Sequence, residues 1–465
     1  MKTEECPAAR FAHFVTSARY ELLPIEVADW IAALVEDNLG CLLGALALPE
    51  SRPIRSVSEP PWEGAPALAV GTGRAPINTA VFCNSQLANL LDFDDTYDFF
   101  IPFHPGCLIV PAALAVAESV GASGREFLTA VATAYEVALR VGRSLGDTLW
   151  CVNIPWAGFA QLGPAIAAAK LYRFDAEKIR ALFSIIALDA RIPALQRTLM
   201  KADIPGGAPR GSLKGNFGSM AEAAVSSAAK AKAGLNGVPG LLDWNEADWR
   251  RAGFPGAGFD EMVENLGQDY LSTQVSLKPT PSCRWTHPAI TAVWDALSGR
   301  TLDASSVVRI RILGVPRLER CEWLRMVEAQ FSMPCAVALA ASGIEPGPKW
   351  YAEEAFRSKA ISDLAGKVVQ ERDASAELTE LREARVSCAV EIELKDGKKL
   401  HGHCKAVKGG PENPLTSSDR RAKFAANTAQ LVDCGRDVRA ALQELPQSSS
   451  LGDLIAALQA IAVQG

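Results

Sequence analysis

The chain has no uninterrupted apolar run of the eighteen or so residues that a membrane span requires, so no spanning segment is expected. It has no basic stripe interleaved with aromatics, and its net charge of −6 comes from interspersed signs, which argues against nucleic acid as a partner. Small molecules and other protein chains remain. The opening Met1-Lys2-Thr3-Glu4-Glu5-Cys6 lacks the positive head and apolar core of a secretory signal. A soluble, cytoplasmic protein is therefore expected. Its eleven cysteines are odd in number and contain no C-x-x-C pair, which suits a reducing compartment and thiols that act as small buried hydrophobes rather than a disulfide framework. No phosphate-cradling glycine motif and no clustered cysteines occur, so neither a nucleotide or flavin nor a metal is expected as a cofactor. No repeat of 20–50 residues is found.

What is present is helical patterning. At 465 residues the chain exceeds one ordinary core and suggests two or three domains. Between Pro24 and Leu43, residues Val27, Trp30, Ile31, Leu34, Val35, Leu39 and Leu42 recur at three- and four-residue steps, the spacing of one helix face. Similar patterns predict helices near 75–91, 107–120, 160–171, 176–189 and 217–233. Ser123 and Glu126 form a capping box opening a further helix that can run to Gly146, since hydroxyl and carboxylate each satisfy an unpaired backbone donor.

After about residue 300 the period changes. Val308, Ile310 and Ile312 alternate with charged residues, and Val386, Cys388, Val390, Ile392 and Leu394 alternate more strictly, which predicts half-buried strands. Asp396-Gly397 marks a tight turn into Leu400, Gly402 and Cys404. On that second strand His401 and His403 share one face. Two ligands do not make a zinc site, so both are expected on the wet face with Cys404 inward. The Gly409-Gly410-Pro411 loop then breaks the pattern, and helical spacing returns to the end.

The densest chemistry is Leu91-Asp92-Phe93-Asp94-Asp95-Thr96, with His104-Pro105-Gly106 eight residues beyond the threonine. Carboxylates are expensive to bury without partners, so such a run in an alanine-rich helical region is a cap, a metal loop or a working site. A calcium loop counted from Asp92 would want glycine and glutamate where Tyr97 and Phe103 stand. One or two of the aspartates are expected to cap helices; His104 favours a working site for the rest. A second cluster, Lys278, Arg284 and His287, falls within ten residues that hold no acid. Guanidinium forks and ammonium groups in that arrangement suit a polycarboxylate.

These stretches, together with Lys278-Pro279-Thr280-Pro281-Ser282-Cys283-Arg284-Trp285-Thr286-His287-Pro288 and Gly410-Pro411-Glu412-Asn413-Pro414-Leu415 followed by Lys423-Phe424, resemble the MmgE/PrpD family. Its members include 2-methylcitrate dehydratases, cis-aconitate decarboxylases and iminodisuccinate epimerases. The resemblance implies a mainly α protein, α+β overall. A large helical domain, 1–272 with 408–465, would receive a smaller inserted α/β domain, 273–407. It implies a homodimer, and it places Asp92, Thr96, His104 and Lys278 in the active site. For His287 the implied role is less definite, and it can instead orient its loop.

Two departures stand out. Relatives carry a histidine–proline pair where this chain has Ile154-Pro155, so one proton-transfer group is replaced by an alkyl side chain. Relatives also place a lysine five residues before the glycine that here is Gly218; this chain has Leu213 there and Lys214 beside it. Ile154 and Lys214 are carried with Arg284 and His287 as substrate-binding candidates. The reading from sequence is a cofactor-independent lyase acting on a di- or tricarboxylate, with dehydration of a 2-methylcitrate-like hydroxy acid first. Decarboxylation of a cis-aconitate-like acid, epimerisation, and a non-catalytic carboxylate- or protein-binding member are the alternatives.

Overall fold

The structure, a computed structural model, describes residues 6–98, 103–145, 160–189, 215–238, 242–243, 246–251, 258–314, 323, 325–371 and 388–461. Helices α1 (Pro7–Ser17) and α2 (Ile25–Leu46) precede a short hairpin, β1 (Ala67–Ala69) and β2 (Gly73–Ala75). Then come α3 (Ile77–Ala88), α4 (Gly106–Val120), α5 (Gly124–Leu145), α6 (Leu162–Leu171), α7 (Ala176–Asp189) and α8 (Phe217–Lys232). The helices read from apolar spacing are present, and their ends shift by less than a turn. Helix α2 continues past Leu43 because Gly44, Ala45 and Leu46 are also buried, while Pro24 takes the N-cap position.

Helix α4 is the centre of this body. Gly106 through Ala117 are all buried, and α4 packs against α3, α5, α6 and α8. A helix apolar on every side has no face to give to water, so its place is the core. Its neighbour α5 begins as the capping box predicts: the Ser123 N–H donates to Glu126 Oε2 at 2.9 Å, and the Glu126 N–H donates to Ser123 Oγ at 3.2 Å.

The second region holds a four-stranded sheet ordered β4-β3-β5-β6. Its strands are β3 (Val307–Leu313), β4 (Val368–Glu371), β5 (Cys388–Leu394) and β6 (Lys399–Cys404). Strand β4 runs parallel to β3, and the other pairings are antiparallel. Helix α9 (His287–Leu297) covers the buried side, packing on β5, β6 and α10 (Met333–Ser342). Cys388, Val390, Ile392, Gly402 and Cys404 point into that interface, whereas His401 and His403 are exposed as expected. Val308 departs from its expected inward place and is 48% exposed. The register shifts between Val307 and Arg309, and this bulge puts Val307 inside with Ile310 and Ile312.

After the sheet, α11 (Ser417–Asn427) packs along α2 and buries Lys423 and Phe424. Among the described residues, Cys6, Cys41, Cys83, Cys107, Cys283, Cys335, Cys388 and Cys404 are buried. No single described helix is long and apolar enough to cross a membrane.

Candidate active site

The acidic run lies between the end of α3 and the start of α4, and each carboxylate has a different environment. Asp95 is the helix cap: the Gly106 N–H donates to its Oδ1 at 2.9 Å, and the Tyr135 hydroxyl donates to Oδ2 at 2.7 Å. Glycine is required at 106, because a Cβ there would overlap Asp95 Oδ1 and lie 2.7 Å from the tyrosine oxygen. Burial first, and then the charge of Asp94, push the Asp95 pKa up to about 8. Asp94 receives both oxygens' contacts from the Asn89 amide, at 2.9 and 3.0 Å.

Asp92 adopts φ 53°, a left-handed conformation that costs a non-glycine residue about 1 kcal/mol or more. Lys278 holds it there. Its Nζ donates to Asp92 Oδ1 at 2.7 Å and to the Asp92 carbonyl at 2.9 Å. Burial opposes the lysine's charge, but Asp92 and Asp94 outweigh it and raise the pKa above the usual value. Lys278 is a fully buried ammonium, fixed 186 residues from its partner in sequence.

His104 stands between the two carboxylates. Its Nδ1 is 3.3 Å from Asp94 Oδ2 and its Nε2 is 3.9 Å from Asp92 Oδ1. The Phe217 ring meets it edge-on at 5.8 Å. Phe217 opens α8, and Gln86 anchors that end by accepting from the Gly218 N–H and donating to the Gly215 carbonyl, both at 3.1 Å. Lys214 and Ile154 lie outside the described residues. The donor atoms of Asp92, Asp94 and His104 sit within 4.8 Å of one another, close enough to hold a cation. The ammonium of Lys278 already supplies that positive charge against Asp92.

The segment carrying Lys278 is tied to the acidic loop along its length. Thr96 and Ser276 exchange backbone hydrogen bonds at 2.9 and 2.7 Å, and the Leu277 N–H donates to the Gly409 carbonyl at 2.9 Å. Gly409 has φ +87°, and a Cβ there would overlap the Leu277 carbonyl, which explains the glycine. Gln330 makes a further link, donating from Nε2 to the Leu90 carbonyl and accepting from the Cys283 N–H.

Arg284 and His287 arrive at the same place with their groups engaged. Arg284 Nε and Nη2 donate to Asp98 Oδ2 at 2.9 and 2.5 Å. Asp98 also accepts from Ser276 Oγ at 2.8 Å and from Thr96 Oγ1 at 3.2 Å. His287 is fully buried. Burial, then the Arg284 and Lys278 charges, hold its pKa well below the usual value, so it is neutral. In that form Nε2 donates to the Ser282 carbonyl at 3.1 Å while Nδ1 faces Arg284 Nη1 at 3.4 Å. His287 is thus placed to orient the arginine.

Two participants were absent from the candidates read from sequence. Asp98 is two residues beyond Thr96, and in an extended segment positions i and i+2 share a face, so it was findable from spacing. Lys423 was quoted only as part of a motif. Its Nζ pairs with Asp37 Oδ1 at 2.6 Å, donates to the Phe93 carbonyl at 2.7 Å and lies 4.1 Å from the Phe93 ring centre. It thereby pins the residue between Asp92 and Asp94.

The cluster thus combines a fixed carboxylate–ammonium pair with an imidazole beside it, the parts needed to move a proton and stabilise the charge left behind. Comparison with known families agrees. Residues 9–261 match the MmgE/PrpD N-terminal domain and residues 280–445 match the MmgE/PrpD C-terminal domain, a family of generally lyase and dehydratase members. With both of its domains matched over most of its length, the chain belongs to the MmgE/PrpD family.

Proposed function

We propose that this protein is a cofactor-independent lyase acting on a di- or tricarboxylate, dehydrating a 2-methylcitrate-like hydroxy acid. The observation that carries this reading is the shared approach to Asp92: the Lys278 ammonium lies 2.7 Å from Oδ1, and His104 Nε2 lies 3.9 Å from the same oxygen. A proton on a carbon beside a carboxylate is weakly acidic. Its removal needs a positioned base and a cation for the second negative charge that develops. Asp92 or His104 takes that proton, and Lys278 stabilises the resulting dianionic carboxylate. The neighbouring carbon–oxygen bond then breaks, the departing hydroxide gains a proton, and alkene and water leave.

Burial strengthens each of these charges. Asp92 and Lys278 are buried, and the Phe217 ring lies edge-on to the imidazole, so little water screens them. A panel of citrate-like acids followed by proton NMR in deuterated water tests the reading. Alkene signals with loss of the hydroxy acid are the expected outcome. Carbon dioxide release, or solvent exchange alone, would replace dehydration by decarboxylation or epimerisation; silence across the panel would remove catalysis on such acids.

A further inference from the structure

The Asp98 carboxylate is the meeting point of donors from two segments of the chain. It gathers Arg284 Nε and Nη2, Ser276 Oγ and Thr96 Oγ1, donors from the acidic loop and from the Lys278 segment. Gly410 lies alongside: a Cβ there would be 3.5 Å from Arg284 Nη2 and 3.7 Å from Ser276 Oγ. All three stretches that define the site in sequence therefore meet at this carboxylate.

Charge balance separates this pair from its neighbours. A di- or tricarboxylate needs unmatched positive charge, yet Lys278, Lys423 and Arg284 are each matched by a carboxylate of the chain itself. Asp92 and Asp37 are 4% exposed at their side chains, beside lysines 0% and 5% exposed. Displacing either would leave a buried charge alone. Asp98 is 21% exposed, whereas its arginine is 7% exposed. Among these pairs it is the carboxylate that can turn to water while its donors stay in place.

We propose that Asp98 is an internal stand-in for a substrate carboxylate: it keeps Arg284, Ser276 and Thr96 assembled before ligand arrives and yields them to the carboxylate of the ligand. Asp98 thus sets affinity, by competing with substrate for one guanidinium. The identity of that ligand as a polycarboxylate rests on the proposed function. The existence of a carboxylate receptor at Arg284 does not.

Two variants test this. Asp98→Ala removes the stand-in, so formate, compared with chloride at equal ionic strength, should raise its melting temperature by filling the vacated position. Wild type and Asp98→Ala/Arg284→Gln should not respond. Asp98→Asn weakens the competitor, and by calorimetry its dissociation constant for citrate should fall roughly tenfold, about 1.4 kcal/mol. No formate effect on Asp98→Ala, or an equal effect after Arg284 is also removed, overturns the proposal. So does weaker or unchanged citrate binding by Asp98→Asn where wild type binds citrate measurably, which is what a purely structural clamp would give. Formate stabilisation with no citrate binding by either protein leaves the Asp98 assignment standing and removes the polycarboxylate reading.

Discussion

Glu136 and Arg140, one turn apart on α5, are as deeply buried as Asp92 and Lys278, yet the two pairs are completed in opposite ways. Arg140 turns Nε to Glu136 and its two Nη groups to the carbonyls of Met262, Glu264, Asn265 and Asp269. Glu136 accepts from the Leu271 N–H at 2.8 Å with its other oxygen. Burial holds Glu136 above the usual carboxylate range, although Arg140 and these backbone donors pull it down. This pair laces residues 262–271 onto α5. Around Asp92, in contrast, the backbone is left-handed, and His104 Nδ1 and Asn89 Oδ1 are buried without a hydrogen bond. A buried charge whose every group is matched serves the fold. A cluster that stays strained and partly unmatched is what a site for chemistry looks like.

The sharpest way to break that contrast is His104→Gln. It should lower turnover by roughly 10²–10⁴-fold, the range for losing a general acid or base, while substrate binding and melting temperature stay near wild type. A folded variant with native turnover would leave His104 as a packed helix-entry residue. Arg140→Met should do the reverse. Stranding Glu136 costs about 3–5 kcal/mol of stability by denaturant titration, with turnover per folded molecule unchanged at low temperature.

Lys278→Met tests whether one residue can belong to both classes. It removes a transition-state cation, so kcat/KM should fall by roughly 10²–10³-fold, with KM raised, and it also strands Asp92, so the melting temperature should drop. A loss of stability without a loss of activity would move Lys278 to the side of Arg140. The smallest effect sharpens the boundary. Asp95 has its folded pKa raised to about 8, so between about pH 4 and pH 8 the native state binds a proton that the unfolded chain does not. Its contribution to stability is present at the acid end of that window and is lost as pH rises. Asp95→Asn should flatten that slope, read from melting temperatures of both proteins across the same buffers; an unchanged slope would show that Asp95 is ionised in the fold.

The candidate site was legible where chemistry and sequence neighbourhood coincide. Asp92, Thr96 and His104 lie close together in sequence, and Lys278 is the lysine of an acid-free stretch; the structure brings Asp92, His104 and Lys278 together. Arg284 was legible as a carboxylate receptor, but not the fact that this chain supplies the carboxylate, because Asp98 is 186 residues away in sequence. Val308 was misplaced for a local reason: a bulge is one extra residue, and period-two reasoning has no means of seeing it.

By itself, then, the sequence determined the helices of the first region, the β5–β6 hairpin, the capping box at Ser123 and the residue types available for catalysis. Each follows from interactions that span a few residues: side-chain periodicity, turn chemistry and local capping. Only the tertiary structure decided which charges match which. The Lys278–Asp92, Lys423–Asp37 and Arg284–Asp98 pairs join segments far apart in the chain. A charge chooses its partner by distance through a low-dielectric interior, and that distance exists only once the helices have packed.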